Sequence, residues 1–382
     1  MIRPVNFGFN AETAVNNAFQ LSQQDEHTQD NALKEFNDFV QLLDENGIDV
    51  TVINDTPSPY TPDSIFPNNW VSFHDDGVLC LYPMYAVNRR KERKPDTLKR
   101  IAEKFQVSKT IDFSYFENKD LFLEGTGSMV LDRENKIAYA CLSPRTNKKV
   151  LELFCEQLGF RPVVFDAEDT AGRSIYHSNV MMCVADKFIV ICLDSISKRE
   201  EKQHVVTTIR NSGKEIIEIS MEQMNHFAGN MLQVHNTKGE KILVMSTQAY
   251  ESLTPKQVKK LETFNKIIHS SLNTIETNGG GSARCMMAEV YLKDESMSTS
   301  GNYEKFFRAE GRIYSHIMDP RTGYPAEGVL SVSVIAPRTL DSEAWTKPIY
   351  VNGRAWAARH KPEGLRAYIC EDKPETSCAW LQ

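Results

Sequence analysis

The 382-residue chain has no apolar run approaching the ~18 residues that cross a membrane, and no CxxC pair among its eight cysteines. It also has no surplus of positive charge, with 44 Lys and Arg against 51 Asp and Glu, a net charge of −7. The first absence excludes a helical membrane span. The second removes the usual zinc and dithiol spacings, so no metal and no cofactor is expected. The third argues against a nucleic-acid partner, which calls for a basic face. The opening "MIRPVNFGFN" lacks the apolar core of a signal peptide, and it reads as the middle of a first strand with residues missing upstream. Several cysteines lie in apolar runs ("VLCLY", "YACLS", "VMMCV", "VICLD"), where the side chain packs as a small hydrophobe. Seven of the eight are therefore expected to be buried free thiols, in a soluble protein of a reducing, cytoplasmic compartment.

The eighth, Cys285, stands in "TNGGGSARCMMAEVYL", residues 277–292. Glycines let a backbone approach a ligand closely, and a cysteine closing such a loop is placed to attack it. The apolar run that follows reads as a strand.

Four more polar loops rich in Gly or Asn feed apolar strands: "DSIFPNNWVSF", "LEGTGSMVLD", "YHSNVMMCVADKFIVICL" and "HFAGNMLQVH". Their spacing of roughly 50–60 residues is that of repeated supersecondary units. Between them lie helical patterns, "NALKEFNDFVQLLDENG", "RKPDTLKRIAEKF", "TNKKVLELFCEQLG", "KREEKQHVVTTIRNSG" and "TPKQVKKLETFNKIIHSS", with apolar residues at i, i+3, i+4 and i+7. Five strand–helix units can close into a ring that brings the five loops to one end of its axis. An open α/β sheet accounts for the same periodicity.

On the ring geometry the loops bring together Asp63, Phe66, Asn68 and Asn69, then Glu124, then His177 and Asn179, then Gly280, Gly281 and Cys285. A thiolate needs an acid–base partner, and histidine serves near neutral pH. Each residue taken singly has an ordinary structural reading. In this order and context they resemble the guanidino-group-modifying superfamily, the pentein fold, which includes arginine deiminase, dimethylarginine dimethylaminohydrolase and the amidinotransferases. The resemblance covers about residues 1–292 and implies a five-fold pseudosymmetric α/β propeller as the first domain. "LEGTG" matches the family's Glu–Gly loop at Glu124, "YHSNV" its histidine at His177, and "NGGGSARC" its nucleophile at Cys285. Arg145 in "LSPRTN" resembles the arginine that grips an α-carboxylate. The stretches "FPNNW" and "NGGGSARC" are most similar to the citrulline-utilisation hydrolases, also called arginine-deiminase-related proteins.

The departures bear on the substrate. Arginine deiminases place carboxylates where this chain has Asn69 and Asn179. A carboxylate pairs with a guanidinium, which is a cation with donors only. An amide carries both a donor and an acceptor and matches a neutral ureido group. The expected substrate is therefore a small amino acid with a ureido group, citrulline ahead of arginine, hydrolysed through a covalent Cys285 intermediate. Glu124 is expected to hold substrate NH groups, and the amides of Gly279–Gly281 to face developing charge. Arginine deiminase or dihydrolase activity is the alternative, the latter because succinylarginine dihydrolases share the "NGGG" likeness. Asn replacing Asp in a merely structural hydrogen bond also stays open. A homo-oligomer is compatible with all of these.

From residue 293 the character changes. "GRIYSHIMDPRTGYPA" and "DSEAWTKPIYVNG" resemble, over residues 296–382, the C-terminal part of FAD:protein FMN transferases. The resemblance implies a small α+β segment without the portion that completes the flavin site. His316 and Asp319 fall in its recognisable stretch. The family's metal-binding Asp and Thr fall on Glu343 and Lys347, and a lysine cannot replace a threonine on Mg²⁺. The expected role is structural or interactive. A flavin-transfer protein with an inert propeller, or a non-catalytic binding module, are the readings from other functional classes.

Overall fold

The computed structural model describes the chain except residues 24, 293–295, 302–305, 310–311, 337–338, 363, 373–376 and 382. The junction expected at 292/293 thus borders residues outside the described set. Two compact units are present: Met1–Leu98 with Lys109–Val290, and Lys99–Ser108 with Tyr291–Gln382.

The first unit repeats one module. It begins with a parallel pair, β1 (Ile2–Arg3) and β2 (Ile53–Asn54). Four three-stranded sheets follow: β3 (Val71–His74), β4 (Val78–Leu81) and β5 (Lys109–Asp112); β6 (Val130–Asp132), β7 (Ile137–Cys141) and β8 (Arg161–Phe165); β9 (Met182–Val184), β10 (Phe188–Ile191) and β11 (Glu215–Glu218); β12 (Leu232–His235), β13 (Lys241–Ser246) and β14 (Lys266–Ser270). In each, the middle strand runs antiparallel to the strand before it and parallel to the strand after it. A parallel pair needs a crossover, and in the second and third sheets the helices Lys148–Leu158 and Arg199–Asn211 supply it. The middle strands "IAYAC" and "FIVI" are buried along their length, so they read as continuous apolar runs.

The helices follow from sequence. Helix Thr28–Glu45 buries Ala32, Phe36, Phe39 and Leu43 along one stripe, each large side chain contributing about 2 kcal/mol of transfer free energy. Helix Lys148–Leu158 starts where the Asn147 side chain accepts from the Lys149 amide, and ends at Gly159 in the left-handed region. Two expectations are corrected. "TPKQVKKLETFNKIIHSS" is helical only over Pro255–Glu262, and its end is strand β14, where the β-branched "KII" pairs with β13. The run after Cys285 forms no strand: its backbone turns at Ser282–Met287, and Val290 is partly exposed.

In the second unit β15 (Ser296–Gly301), β18 (Val329–Ala336), β19 (Arg366–Glu371) and β20 (Ser377–Leu381) form an antiparallel sheet in that order. A separate hairpin pairs β16 (Phe306–Ala309) with β17 (Arg312–Ser315). Val332, Val334, Ala367 and Ile369 share a core with Ile349, Tyr350 and Ala357 of helix Thr339–His360. Cys370 and Cys378 are cross-strand partners joined by a disulfide, against the expectation of free thiols; their facing positions on β19 and β20 bring the sulfurs together. The other six cysteines are free and buried.

Candidate active site

Three modules deliver site residues by the same local device: a loop residue, one helical turn, then the first strand of the sheet. Phe66 precedes the turn Pro67–Asn69 and β3; Glu124 precedes Gly125–Ser128 and β6; His177 precedes Ser178–Met181 and β9. The turns tie to one another: Ser178 Oγ donates to the Ser128 carbonyl at 2.6 Å, and Thr126 Oγ1 to the Asn68 carbonyl at 3.3 Å.

Glu124 and His177 form a buried pair. His177 Nε2 lies 2.8 Å from Glu124 Oε2, while the Tyr85 amide donates to Oε1 at 2.9 Å and Arg145 Nη1 lies 3.5 Å from Oε2. Burial alone pushes the Glu124 carboxyl up, but the Arg145 charge and the His177 hydrogen bond outweigh it and hold it at about 2. The carboxylate can only accept, so His177 carries its proton on Nε2 and keeps Nδ1 as an acceptor. Burial lowers His177 to about 4 against the opposing pull of Glu124, so the resting imidazole is neutral. A Cβ at Gly127 would lie 2.4 Å from Asn69 Nδ2 and 2.7 Å from His177 Nδ1, so only glycine lets these atoms come together here.

Cys285 sits in the turn after helix Asn273–Gly279, 3 % exposed. Two amides reach its sulfur: Asn179 Nδ2 and Asn230 Nδ2, each at 3.3 Å. Phe66 lays its ring against Gly279 and Gly281. Gly280 closes the helix at φ +63°, its N–H donating to the Glu276 carbonyl and its own carbonyl accepting from Tyr176 Oη at 2.6 Å. The Gly280 amide is therefore engaged in the helix end and does not face developing charge.

A second buried cluster adjoins this one. Arg89 pairs bidentately with Glu92 (2.8 and 3.0 Å), lies 3.8 Å from Asp63, and donates from Nη1 to Asn69 Oδ1 at 2.7 Å. Asp63 accepts from Asn10 and Thr13, and burial pushes its carboxyl up against the pull of Arg89. Arg145 is closed in: Nε donates to Asn16 Oδ1 at 2.7 Å, Nη2 to the Thr13 carbonyl at 2.6 Å, and its plane lies over the Tyr176 ring. Gripping a substrate carboxylate would require it to release Asn16.

The structure thus pairs Glu124 with His177 and Asn179 with Cys285, and brings Asp63 and Asn69 into the set around Arg89. Several buried side-chain atoms have no hydrogen-bond partner among the described residues: Asp63 Oδ1, both polar atoms of Asn68, Asn69 Nδ2 and Asn179 Oδ1. Unpaired buried polar groups cost about 1–3 kcal/mol each, and five of the eleven such atoms among the described residues lie on these loops. Sequence reasoning missed Arg89, Glu92 and Asn230; Asn230 lies in the quoted loop "HFAGNMLQVH", and its place just before a first strand was the available signal.

In the second unit Asp319 is held in an ion pair with Arg321 at 2.7 Å, and Glu343 and Lys347 are exposed along their helix.

A buried carboxylate–imidazole pair and a cysteine held by two amides stand on this repeated α/β frame. The chain belongs to the N,N dimethylarginine dimethylhydrolase family, whose eukaryotic family model matches residues 3–292. The ApbE family model matches residues 274–369. Among solved structures, the chain is similar to the substrate-bound N-terminal domain of ArgZ, an arginine dihydrolase from the ornithine–ammonia cycle in cyanobacteria (TM-score 0.59, 18% identity, 75% of this chain and 95% of that one). It is also similar to unliganded AgrE (TM-score 0.60, 17% identity, 78% and 41%). At these identities the likeness is one of fold. The FAD:protein FMN transferase of Escherichia coli K12 is 34% identical over 98 residues, 25% of this chain and 28% of that protein. That of Treponema pallidum is 48% identical over 65 residues, 17% and 18%. The chain therefore spans between 18% and 28% of the length of these two curated relatives.

Proposed function

We propose that the first unit is a cysteine-dependent hydrolase of a ureido amino acid, citrulline preferred, yielding ornithine, carbon dioxide and ammonia. The observation that carries the substrate reading is the orientation of two amides. Asn69 Oδ1 accepts from Arg89, which is a donor only, so Asn69 is fixed with its NH₂ unpaired. Asn179 points its NH₂ at Cys285 and leaves its carbonyl oxygen unpaired. One free donor and one free acceptor complement a ureido group, which has a carbonyl oxygen beside N–H groups. A guanidinium offers donors alone and would set one of them against the Asn69 NH₂.

In the proposed reaction the Cys285 thiol proton passes to His177 Nδ1, and Sγ attacks the ureido carbon. His177 returns that proton to the departing δ-nitrogen, releasing ornithine and leaving an S-carbamoyl cysteine. A water, losing a proton to His177, cleaves the C–S bond; the resulting carbamate breaks down to carbon dioxide and ammonia, and the thiol is restored. Glu124 stays ionised and stabilises the transient imidazolium. The four sheets and the β1–β2 pair are read as five blades that bring these loops to one end of an axis.

Hydrolysis of arginine is the second reading, favoured by the unpaired Asp63 Oδ1 and the ionised Glu124 in the same buried region, both able to accept from a guanidinium. Product analysis separates the two: citrulline giving ornithine, carbon dioxide and ammonia supports the first, and turnover of arginine with citrulline untouched rejects it. For the second unit we propose a non-catalytic role, checked by incubation with FAD, Mg²⁺ and an acceptor protein; covalent flavin on the acceptor would reverse that assignment.

A further inference from the structure

We infer that Asn230 is a positioning residue that donates to the Cys285 sulfur as it gives up its proton and fixes its turn against the His177 segment, an inference that rests on Cys285 being the nucleophile. One side-chain amide makes three buried bonds. Nδ2 donates to Cys285 Sγ at 3.3 Å and to the Asn179 carbonyl at 2.9 Å; Oδ1 accepts the Arg284 amide at 3.0 Å. Asn230 is wholly buried, and it stands just before β12 as Asn69 stands just before β3.

The two halves of the amide do different work. The oxygen anchors the residue preceding the nucleophile, and the Arg284 side chain closes the same turn by donating to the Met287 carbonyl at 2.9 Å and pairing with Glu289 at 2.7 Å. The nitrogen joins that turn to the segment carrying His177 and Asn179, so nucleophile and acid–base group are held in one frame. With Asn179, it also gives the sulfur two N–H donors. A donor favours the anionic partner over the neutral one, because hydrogen bonds to charged groups are the stronger kind.

Asn230→Asp separates these roles. It keeps an acceptor for the Arg284 amide and the side-chain shape, but replaces the donor to sulfur with a carboxylate. With iodoacetamide as probe, the full-length variant should alkylate at Cys285 about ten- to a hundredfold more slowly at pH 7.5, the scale of a lost charge-assisted hydrogen bond. Its alkylation curve should move to higher pH, and kcat should fall further than KM changes. A folded Asn230→Asp protein alkylated at the wild-type rate from pH 6 to 9 overturns the inference, whatever its kcat. In case the variant does not fold, the wild-type protein is read directly: the Asn230 side-chain NH₂ resonances should shift on alkylation of Cys285, and unmoved resonances overturn it. Turnover surviving in Cys285→Ala would instead strike at the hydrolase reading, which alkylation does not measure.

Discussion

His177 Nε2 donates to Glu124 Oε2 over 2.8 Å, and both side chains are closed off from solvent. The charge of Arg145 keeps Glu124 ionised, and that carboxylate decides which imidazole nitrogen carries the proton. Glu124→Gln keeps a hydrogen-bond acceptor but loses the charge that stabilises an imidazolium. It should lower kcat by ~10²–10⁴, the usual worth of general acid–base catalysis, with Cys285 still alkylatable. It also leaves Arg145 buried without its countercharge, which should cost about 3–5 kcal/mol in denaturant unfolding. A kcat within a fewfold of wild type would show that the pair is structural.

Cys285→Ala should abolish turnover in a protein that still folds, with a stability loss of about 1–3 kcal/mol because the Asn179 and Asn230 amides lose their buried acceptor. Its sulfur is held by amides at the edge of a turn, whereas Cys183 packs inside β9. Cys183→Ala should lose about 1–2 kcal/mol of stability by cavity formation and keep its activity. Steady-state assays and unfolding curves on the two variants check both halves; an active Cys285→Ala enzyme removes the covalent mechanism.

Much of this arrangement is legible in the chain because its signals are local. Helical periodicity marks Thr28–Glu45, Lys148–Leu158 and Arg199–Asn211, and Gly159 marks an end. Glu124, His177 and Cys285 stand in polar, glycine- or asparagine-rich loops that the sequence marks. Other features depend on contacts distant in sequence. Arg89 lies in "NRRKER", which reads as a solvated charge run, yet it is buried because Glu92 and Asp63 neutralise it. Asn230 looks like any turn asparagine until the modules converge on Cys285. Strand β14 looks helical in sequence because its partner, β13, precedes an intervening helix. The Cys370–Cys378 bond depends on strand register, which cysteine spacing alone does not reveal.

Glu276 predicts a pH dependence of stability. It is buried, and burial raises its carboxyl to about 7 against the hydrogen bond from Ser282 Oγ; Gln248 Nε2 donates to its other oxygen. A carboxyl raised from 4.5 to about 7 on folding binds protons better in the folded state. Its contribution is full below pH 4.5 and is lost as pH rises through 7. Glu276→Gln keeps an oxygen for Gln248 and an NH₂ for Ser282 without that titration. Relative to wild type it should therefore gain up to a few kcal/mol between pH 5 and 8. Unfolding midpoints over that range check it; parallel curves for the two proteins would refute the assignment.

The sharpest prediction concerns Asn69 and Asn179. Asn69→Asp places a carboxylate beside Arg89, within the set that already contains Glu92 and Asp63. Asn179→Asp removes one of the two donors on Cys285 Sγ. Both changes add charge where a guanidinium would find a partner and a ureido carbonyl would meet repulsion. The double variant should move the ratio of kcat/KM for citrulline over arginine towards arginine, by up to ~10⁴ where buried polar groups are left unpaired. Losing a donor to sulfur also lowers the rate with both substrates, so the ratio is the quantity to read, not either rate alone. The single variants divide the effect. Asn69→Asp should change the ratio with little loss of Cys285 alkylation, because Asn69 does not touch the sulfur. Asn179→Asp should slow alkylation as well. A wild-type enzyme that already prefers arginine, or a ratio unmoved by the double substitution, would defeat the ureido reading and leave arginine hydrolysis in its place.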